Sequence, residues 1–491
     1  MILRAKNDLL LLVFGRVATI VLALISMRTV THFLSPDEYG QLSILFTIQM
    51  LCGLFLINPV GQYINLRTHD WWKEKSLFSR LKRYWIYILS VSILGVFILF
   101  LVVQYLSIFT SLFGVLIAIG CAIFFGTWNA TLTPMLNMLG FRSTSIFIGV
   151  LSVAISLLAS IGFTKIYPGP ASWLLGQALG YAFGAYFAWK ILSKIFTQSG
   201  QASITHKDLN VVNKGVLFQY CLPLAFATGF MWFQMSGYRF MVEKYWGLAS
   251  LGFMVLGFQI ASQVWGLVES LATQYLYPLF FKRVAGGSAT DLALEPFSDL
   301  LNTLIPVYFV VNGALILSAN ALVKLLVADA YFNAIKFVLF GAGIEMCRTT
   351  VNLLANAAHV NRKTQSLGIP YMAGSISTIV CLYFCAQWNL DISWACISVF
   401  GGGVITLILM WIYMRKEIAF LVDCPRWLFA TFFMVSMGVV SQFMPGVKTI
   451  FEALLHLAVT ALISFVFLLL LLNNNPSLVR LTATKLQGGS N

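Results

Sequence analysis

Trp85-Ile-Tyr-Ile-Leu-Ser-Val-Ser-Ile-Leu-Gly-Val-Phe-Ile-Leu-Phe-Leu-Val-Val-Gln-Tyr-Leu-Ser107 contains no charged residue and no proline. A helix of about 20 such residues crosses about 30 Å of hydrocarbon, so this stretch reads as a membrane span. Working outward, the same pattern recurs at 9–32, 41–62, 112–137, 145–166, 172–195, 216–239, 248–274, 298–326, 334–358, 366–387, 392–414, 427–445 and 449–473. With mean hydropathy +0.86 and 10% charged residues, the chain lies outside the range of ordinary soluble domains. The expected fold is an all-α integral membrane protein of about 14 transmembrane helices. The first span is too long for a signal-peptide core and no small-residue cleavage site follows, so it reads as a retained helix.

Charge sets the orientation. With the N-terminus inside, Arg67, Lys73, Lys75, Arg80, Lys82 and Arg83 share a side with Arg142, Lys190, Lys194, Lys207 and Lys214. Arg4, Lys6, Lys282, Arg283, Arg362, Lys363, Arg415, Lys416, Arg426, Arg480 and Lys485 fall there too. Only Lys165, Arg239, Lys244, Lys324, Lys336 and Lys448 fall opposite. The positive-inside rule places the first group, and both termini, in the cytoplasm. The net charge of +14 is therefore a topology signal, and dispersal over short loops argues against a nucleic-acid partner.

The loops read as 63–84, 196–215 and 282–297 are too short to fold alone. No P-loop opens a soluble helix, and no large outer loop offers a catalytic site. No enzyme activity and no cofactor are expected. The eight cysteines lie mostly within spans; Cys381 and Cys385 share a helical face, but with no nearby histidine they make a poor metal site.

The 196–215 loop divides six spans from eight. In the first half Arg28 precedes Leu34-Ser-Pro-Asp-Glu-Tyr-Gly40; in the second Arg239 precedes Glu243-Lys-Tyr-Trp-Gly-Leu-Ala-Ser-Leu-Gly252. Each turn joins the first and second spans of its half. Duplicated halves of like orientation, around a central cavity, are a transporter architecture. The expected division is a six-helix bundle at 1–200, a second at 201–420, and a helix pair with a cytoplasmic tail at 421–491.

The stretch Met27-Arg-Thr-Val-Thr-His-Phe-Leu-Ser-Pro-Asp-Glu-Tyr-Gly-Gln-Leu-Ser43 resembles the first external turn of Wzx-type polysaccharide flippases. These belong to the multidrug/oligosaccharidyl-lipid/polysaccharide exporter superfamily. Tyr238 to Gln259 resembles the counterpart at helix seven, and Val327-Ala-Asp-Ala-Tyr-Phe-Asn-Ala-Ile335 resembles a third recurring turn. Ser35 departs from the family glycine, Tyr238 from a frequent acid, and Ala330 from Glu or Gly. The resemblance implies flipping of a lipid-linked O-antigen or exopolysaccharide repeat unit in the bacterial inner membrane. It also implies a proton or sodium drive, and polymerase and chain-length proteins as partners.

A charge near the bilayer centre costs about 2.5–3.5 kcal/mol on insertion scales, so each one needs a reason. Arg16 either snorkels to inner headgroups or faces a cavity, and Arg28 poses the same choice near the outer end. Arg239, with Glu243 and Lys244, reads as a rim ion pair. Glu345 and Arg348, three residues apart, form a structural pair or a phosphate and ion site. Glu269 is a candidate gate residue. Asn352 and Asn356 extend a polar stripe, while His456 reads as a satisfied buried histidine. The candidate substrate-binding residues are thus Arg16, Arg28, Arg239, Arg348, Asn352 and Asn356, with Glu345 and Glu269 for ion coupling.

A polyprenyl (undecaprenyl) diphosphate-linked oligosaccharide needs a cavity that replaces water around its head while its tail stays in lipid. Arginine suits the diphosphate because its planar donors pair with oxygens. Two rivals remain. A membrane-embedded glycan polymerase would need a large outer loop with catalytic arginines, and drug efflux favours acidic cavities. A major-facilitator transporter would need a Gly-x-x-x-Asp-Arg loop after span two.

Overall fold

The computed structural model describes residues 2–106, 109, 112–198, 214–284, 290–361, 364–444, 446–473 and 475–487. The regular structure among them is helical throughout. In order, the helices are α1 (Ile2–Phe33), α2 (Pro36–Lys73), α3 (Leu77–Leu106), α4 (Leu112–Met138), α5 (Arg142–Ile166), α6 (Pro170–Gln198) and α7 (214–246). They continue with α8 (Leu248–Val284), α9 (Thr290–Leu326), α10 (Ile335–Val360), α11 (Gly368–Gln387), α12 (Ile392–Glu417), α13 (Cys424–Phe443), α14 (Ile450–Leu472) and α15 (Pro476–Gln487). Among the described residues, twelve candidate spans are long and apolar enough to cross a membrane, and α6 and α7 cover the other two apolar segments of the sequence. The protein is a multi-pass helical membrane protein.

Two of the expected loops are mostly helix. α2 continues to Lys73 and α3 begins at Leu77, so 63–84 contracts to a tight turn with Lys75 at positive φ. The extension holds because Ile64, Thr68 and Trp71 recur on one buried face. Likewise 282–297 is helical to Val284 and again from Thr290. Lys207, Arg362 and Lys363 lie outside the described residues.

The chain divides into two compact units, 1–252 and 253–491. In the first, α5 and α6 are held by a ladder of small residues. Ser152, Ser156 and Ser160 each donate across to a carbonyl of α6, those of Gly180 (2.7 Å), Gln177 (3.1 Å) and Trp173 (2.8 Å). Gly176, Gly180 and Gly184 face this ladder, and an added Cβ at any of them would strike α4 or α5. Close backbone approach and cross-helix hydrogen bonds substitute for the hydrophobic effect that lipid cannot supply.

α2 carries a π-helical segment at Cys52–Ile57. Such a segment disturbs the regular helical ladder, and neighbouring side chains supply partners. Thr228 of α7 donates to Leu54 O at 2.7 Å and Tyr87 of α3 to Leu56 O at 2.7 Å. The two turns that suggested a repeat also meet: a Cβ on Gly40 would strike Leu248 O, and one on Gly252 would strike Pro36 O.

In the second unit α9 is the core element and mostly buried, whereas α13 and α14 are largely exposed. Those two outer helices pack on α9 and present Phe432, Phe443 and Phe451 outward, as lipid-facing helices do. α11 and α12 meet reciprocally, with Gly374 against Thr406 and Gly402 against Thr378. The linker 418–423 is sewn to α9, where Ser298 Oγ accepts from Leu421 N (2.9 Å) and Asn302 Oδ1 from Asp423 N (2.9 Å). His456 corrects expectation: both ring nitrogens are buried and neither has a hydrogen-bond partner, as is true of Thr460 and Ser464 on the same face.

Candidate functional site

α8 and α10 bring four of the sequence-derived candidates together. Arg348 donates from Nε to Glu345 Oε2 at 2.6 Å and from Nη2 to Glu269 Oε2 at 3.0 Å. Asn352 Nδ2 donates to the other oxygen, Glu269 Oε1, at 2.8 Å. Glu345, Arg348 and Asn352 are spaced by three and four residues, so one helical face presents all three. Glu269 reaches that face from α8, 79 residues earlier in the chain.

The arrangement is charge-asymmetric. One guanidinium serves two carboxylates, so with all groups ionised the cluster carries a net charge of −1. Glu345 is 9% exposed, and the side chains of Arg348 and Glu269 are 20% and 26% exposed. Low surrounding polarity strengthens these attractions and raises the cost of any unpaired member. A cluster of this kind can accept a cation, or release its arginine to an anion when a carboxylate is neutralised.

Three tyrosines and a serine line the network. Ser262 lies beside Glu345, Tyr277 beside Asn356, and Tyr308 and Tyr371 lie within electrostatic reach of Arg348 and Glu269. The Tyr308 hydroxyl is buried without a partner, and its ring meets Trp265 edge-on at 5.4 Å. These four escaped the sequence reading because an isolated hydroxyl in an apolar span has no spacing signature. Tyr308 also lines a half-open apolar pocket of about 270 Å³, with Phe309, Met346, Trp411 and Trp427 in its wall.

Asn356 stays one turn along α10 from the cluster, and the remaining arginine candidates lie elsewhere. Asn356 donates back to its own helix, to Asn352 O (3.2 Å) and Leu353 O (3.0 Å). Arg16 is exposed and Arg28 half-buried on α1, in the first unit. The rim ion pair expected of Arg239 does not form. Its Nη1 donates instead to Ser43 O and Thr47 Oγ1 of α2, each at 3.4 Å, and Glu243 keeps a buried, unpartnered Oε2. α2 lies close enough to take the guanidinium, whereas Lys244 turns to Tyr105.

No protein-family model matches the chain, and none of the curated proteins matches it by sequence. Solved structures do match. Over 93% of this chain and 98% of the other, it superposes on the lipid II flippase MurJ in an inward closed conformation, with a TM-score of 0.71 at 14% identity. The chain has the fold of these transporters. An inward-facing multidrug resistance MATE family transporter of the MOP superfamily matches at TM-score 0.59 and 11% identity, over 82% and 94% of the two chains. A eukaryotic MATE transporter matches at 0.52 and 14%, over 89% and 99%. All three are flippases or transporters.

Proposed function

We propose that this protein flips a polyprenyl-diphosphate-linked oligosaccharide from the cytoplasmic to the outer leaflet of a bacterial inner membrane. The observation that carries the reading is the near full-length likeness in fold to a lipid II flippase. The chemistry is compatible with it. Arg348 supplies paired donors for phosphate oxygens, and the excess carboxylate of the Glu269–Glu345 pair takes up the coupling proton or sodium ion. The apolar cavity beside Tyr308 suits part of an isoprenoid tail. Arg16, Arg28 and Arg239 contribute further cationic contacts to the head, and Asn352 and Asn356 contact sugar hydroxyls. Rocking of residues 1–200 against 201–420 alternates access, with 421–491 flanking the bundle, and both termini are cytoplasmic.

The test is accumulation of lipid-linked oligosaccharide after depletion, with sidedness read by an impermeant glycan probe. Completed units trapped inside, released by wild type but not by Arg348→Ala, support flipping. Units that reach the outer face but stay unpolymerised overturn it in favour of a glycan polymerase. Unchanged pools overturn it in favour of drug or metabolite efflux, the reading favoured by the likeness to MATE transporters.

A further inference from the structure

Asp299, near the inner end of α9, is a carboxylate only 1% exposed. It accepts from Arg480 of the C-terminal helix α15 through both oxygens, with Nε at 3.0 Å from each and Nη2 close to Oδ1, and from Arg283 Nη1 at 3.4 Å. Arg283 belongs to the last two turns of α8, Tyr277–Val284, which also pack on α15. Asn475 is fully buried and caps α15, with Oδ1 accepting from Ser477 N (3.0 Å), Leu478 N (3.4 Å) and Arg426 Nη1 of α13 (3.1 Å). One short helix thus ties the inner ends of α8, α9 and α13 together.

The segment of α8 held in this way is set off from the rest of the helix. A π-helical stretch, Ala272–Leu276, separates it from Glu269. Such stretches weaken the regular hydrogen-bond ladder and concentrate bending. Beyond the stretch, Phe280 is buried against Phe297 of α9, with ring centres 5.9 Å apart. An apolar contact and an ionic one therefore hold the same segment to α9, while Glu269 sits just above the weak point.

We propose that α15 is a bolt, in which Arg480 and Asp299 fix the inner segment of α8 and the stretch 272–276 is the hinge on which that segment swings when the bolt is drawn. Arg480 is then a positioning residue for Glu269, acting through Asp299 and Arg283. The link to access rests on the transport reading above; the bolt itself does not.

The experiment is hydrogen–deuterium exchange on the full chain in lipid nanodiscs, comparing wild type with Arg480→Gln. Loss of the two-oxygen ion pair should accelerate exchange about tenfold across 277–284, while α12 is unchanged. Acceleration confined to 476–487, or absent, overturns the bolt. Should Arg480→Gln fold poorly, Arg480→Lys, which keeps charge but not paired donors, must shift 277–284 in the same direction by less. The neutral pair Asp299→Asn with Arg480→Gln should restore part of the protection; a general loss of packing would leave it lost or worsen it. In a reconstituted flipping assay with lipid-linked oligosaccharide, an active wild type whose rate Arg480→Gln leaves unchanged overturns the positioning role. A wild type that moves nothing defeats the transport reading, and the exchange result still decides the bolt.

Discussion

Arg348 holds two carboxylates at once, Glu345 through Nε and Glu269 through Nη2. Lysine, a single point donor, cannot reproduce that fork. Arg348→Ala strands two partly buried carboxylates and is expected to destabilise the fold by about 3 kcal/mol, the lower end for breaking a buried pair. Thermal unfolding in detergent measures this. Arg348→Gln with Glu345→Gln should recover part of the loss, because the residual polar groups can still pair; full additivity of the two single changes would refute direct coupling. The i, i+3 pair on α10 was legible from spacing alone. Its third member was not, because nothing local in α8 marks Glu269 as the partner of a residue 79 positions away.

Helix–helix contacts follow from small residues placed four apart. Leucine at Gly180 would drive a side chain into Ser156 N and Ser152 O of α5, where backbone cannot yield. Gly180→Leu should cost about 1–3 kcal/mol or more and separate α5 from α6, seen as new labelling of a cysteine placed at Ser156. Helix ends respond differently. Asp391 caps α12, accepting from Ser393 Oγ at 2.6 Å and Ser393 N at 2.9 Å. The Ser393 hydroxyl, followed by its backbone N–H, holds the Asp391 carboxyl below the usual range. A lowered folded-state value means that the cap's contribution is complete above the ordinary carboxylate value, about 3.9, and fades as pH falls below it. As the loss of an N-cap, Asp391→Ala should cost about 1 kcal/mol at neutral pH. The gap in unfolding midpoint between variant and wild type should narrow in acid; a gap that widened would refute the assignment.

For the whole molecule, the fold carries the functional reading and topology is its first check. Basic residues counted to one side converge in space, as Arg283 and Arg480 do on Asp299. A cysteine at Lys82 should react with an impermeant thiol reagent only after permeabilisation, and one at Lys448 in intact cells. Reactivity the other way round would invert the protein and place the cluster's donors on the wrong path for an inner-leaflet substrate.

The helical, membrane-spanning character of the chain and the approximate extent of its spans were determined by the sequence alone, because crossing hydrocarbon demands a minimum apolar length and a satisfied backbone, both local properties. The helical identity of 63–73 was hidden by its polarity, since a helix protruding beyond the spans looks like a loop until Ile64, Thr68 and Trp71 find a surface. What pairs with what was decided by tertiary structure. Glu269 with Arg348, Arg239 with α2, and Asp299 with Arg480 are contacts between residues far apart in the chain, and in an apolar medium a charge takes whatever partner the packing of neighbouring helices brings within reach.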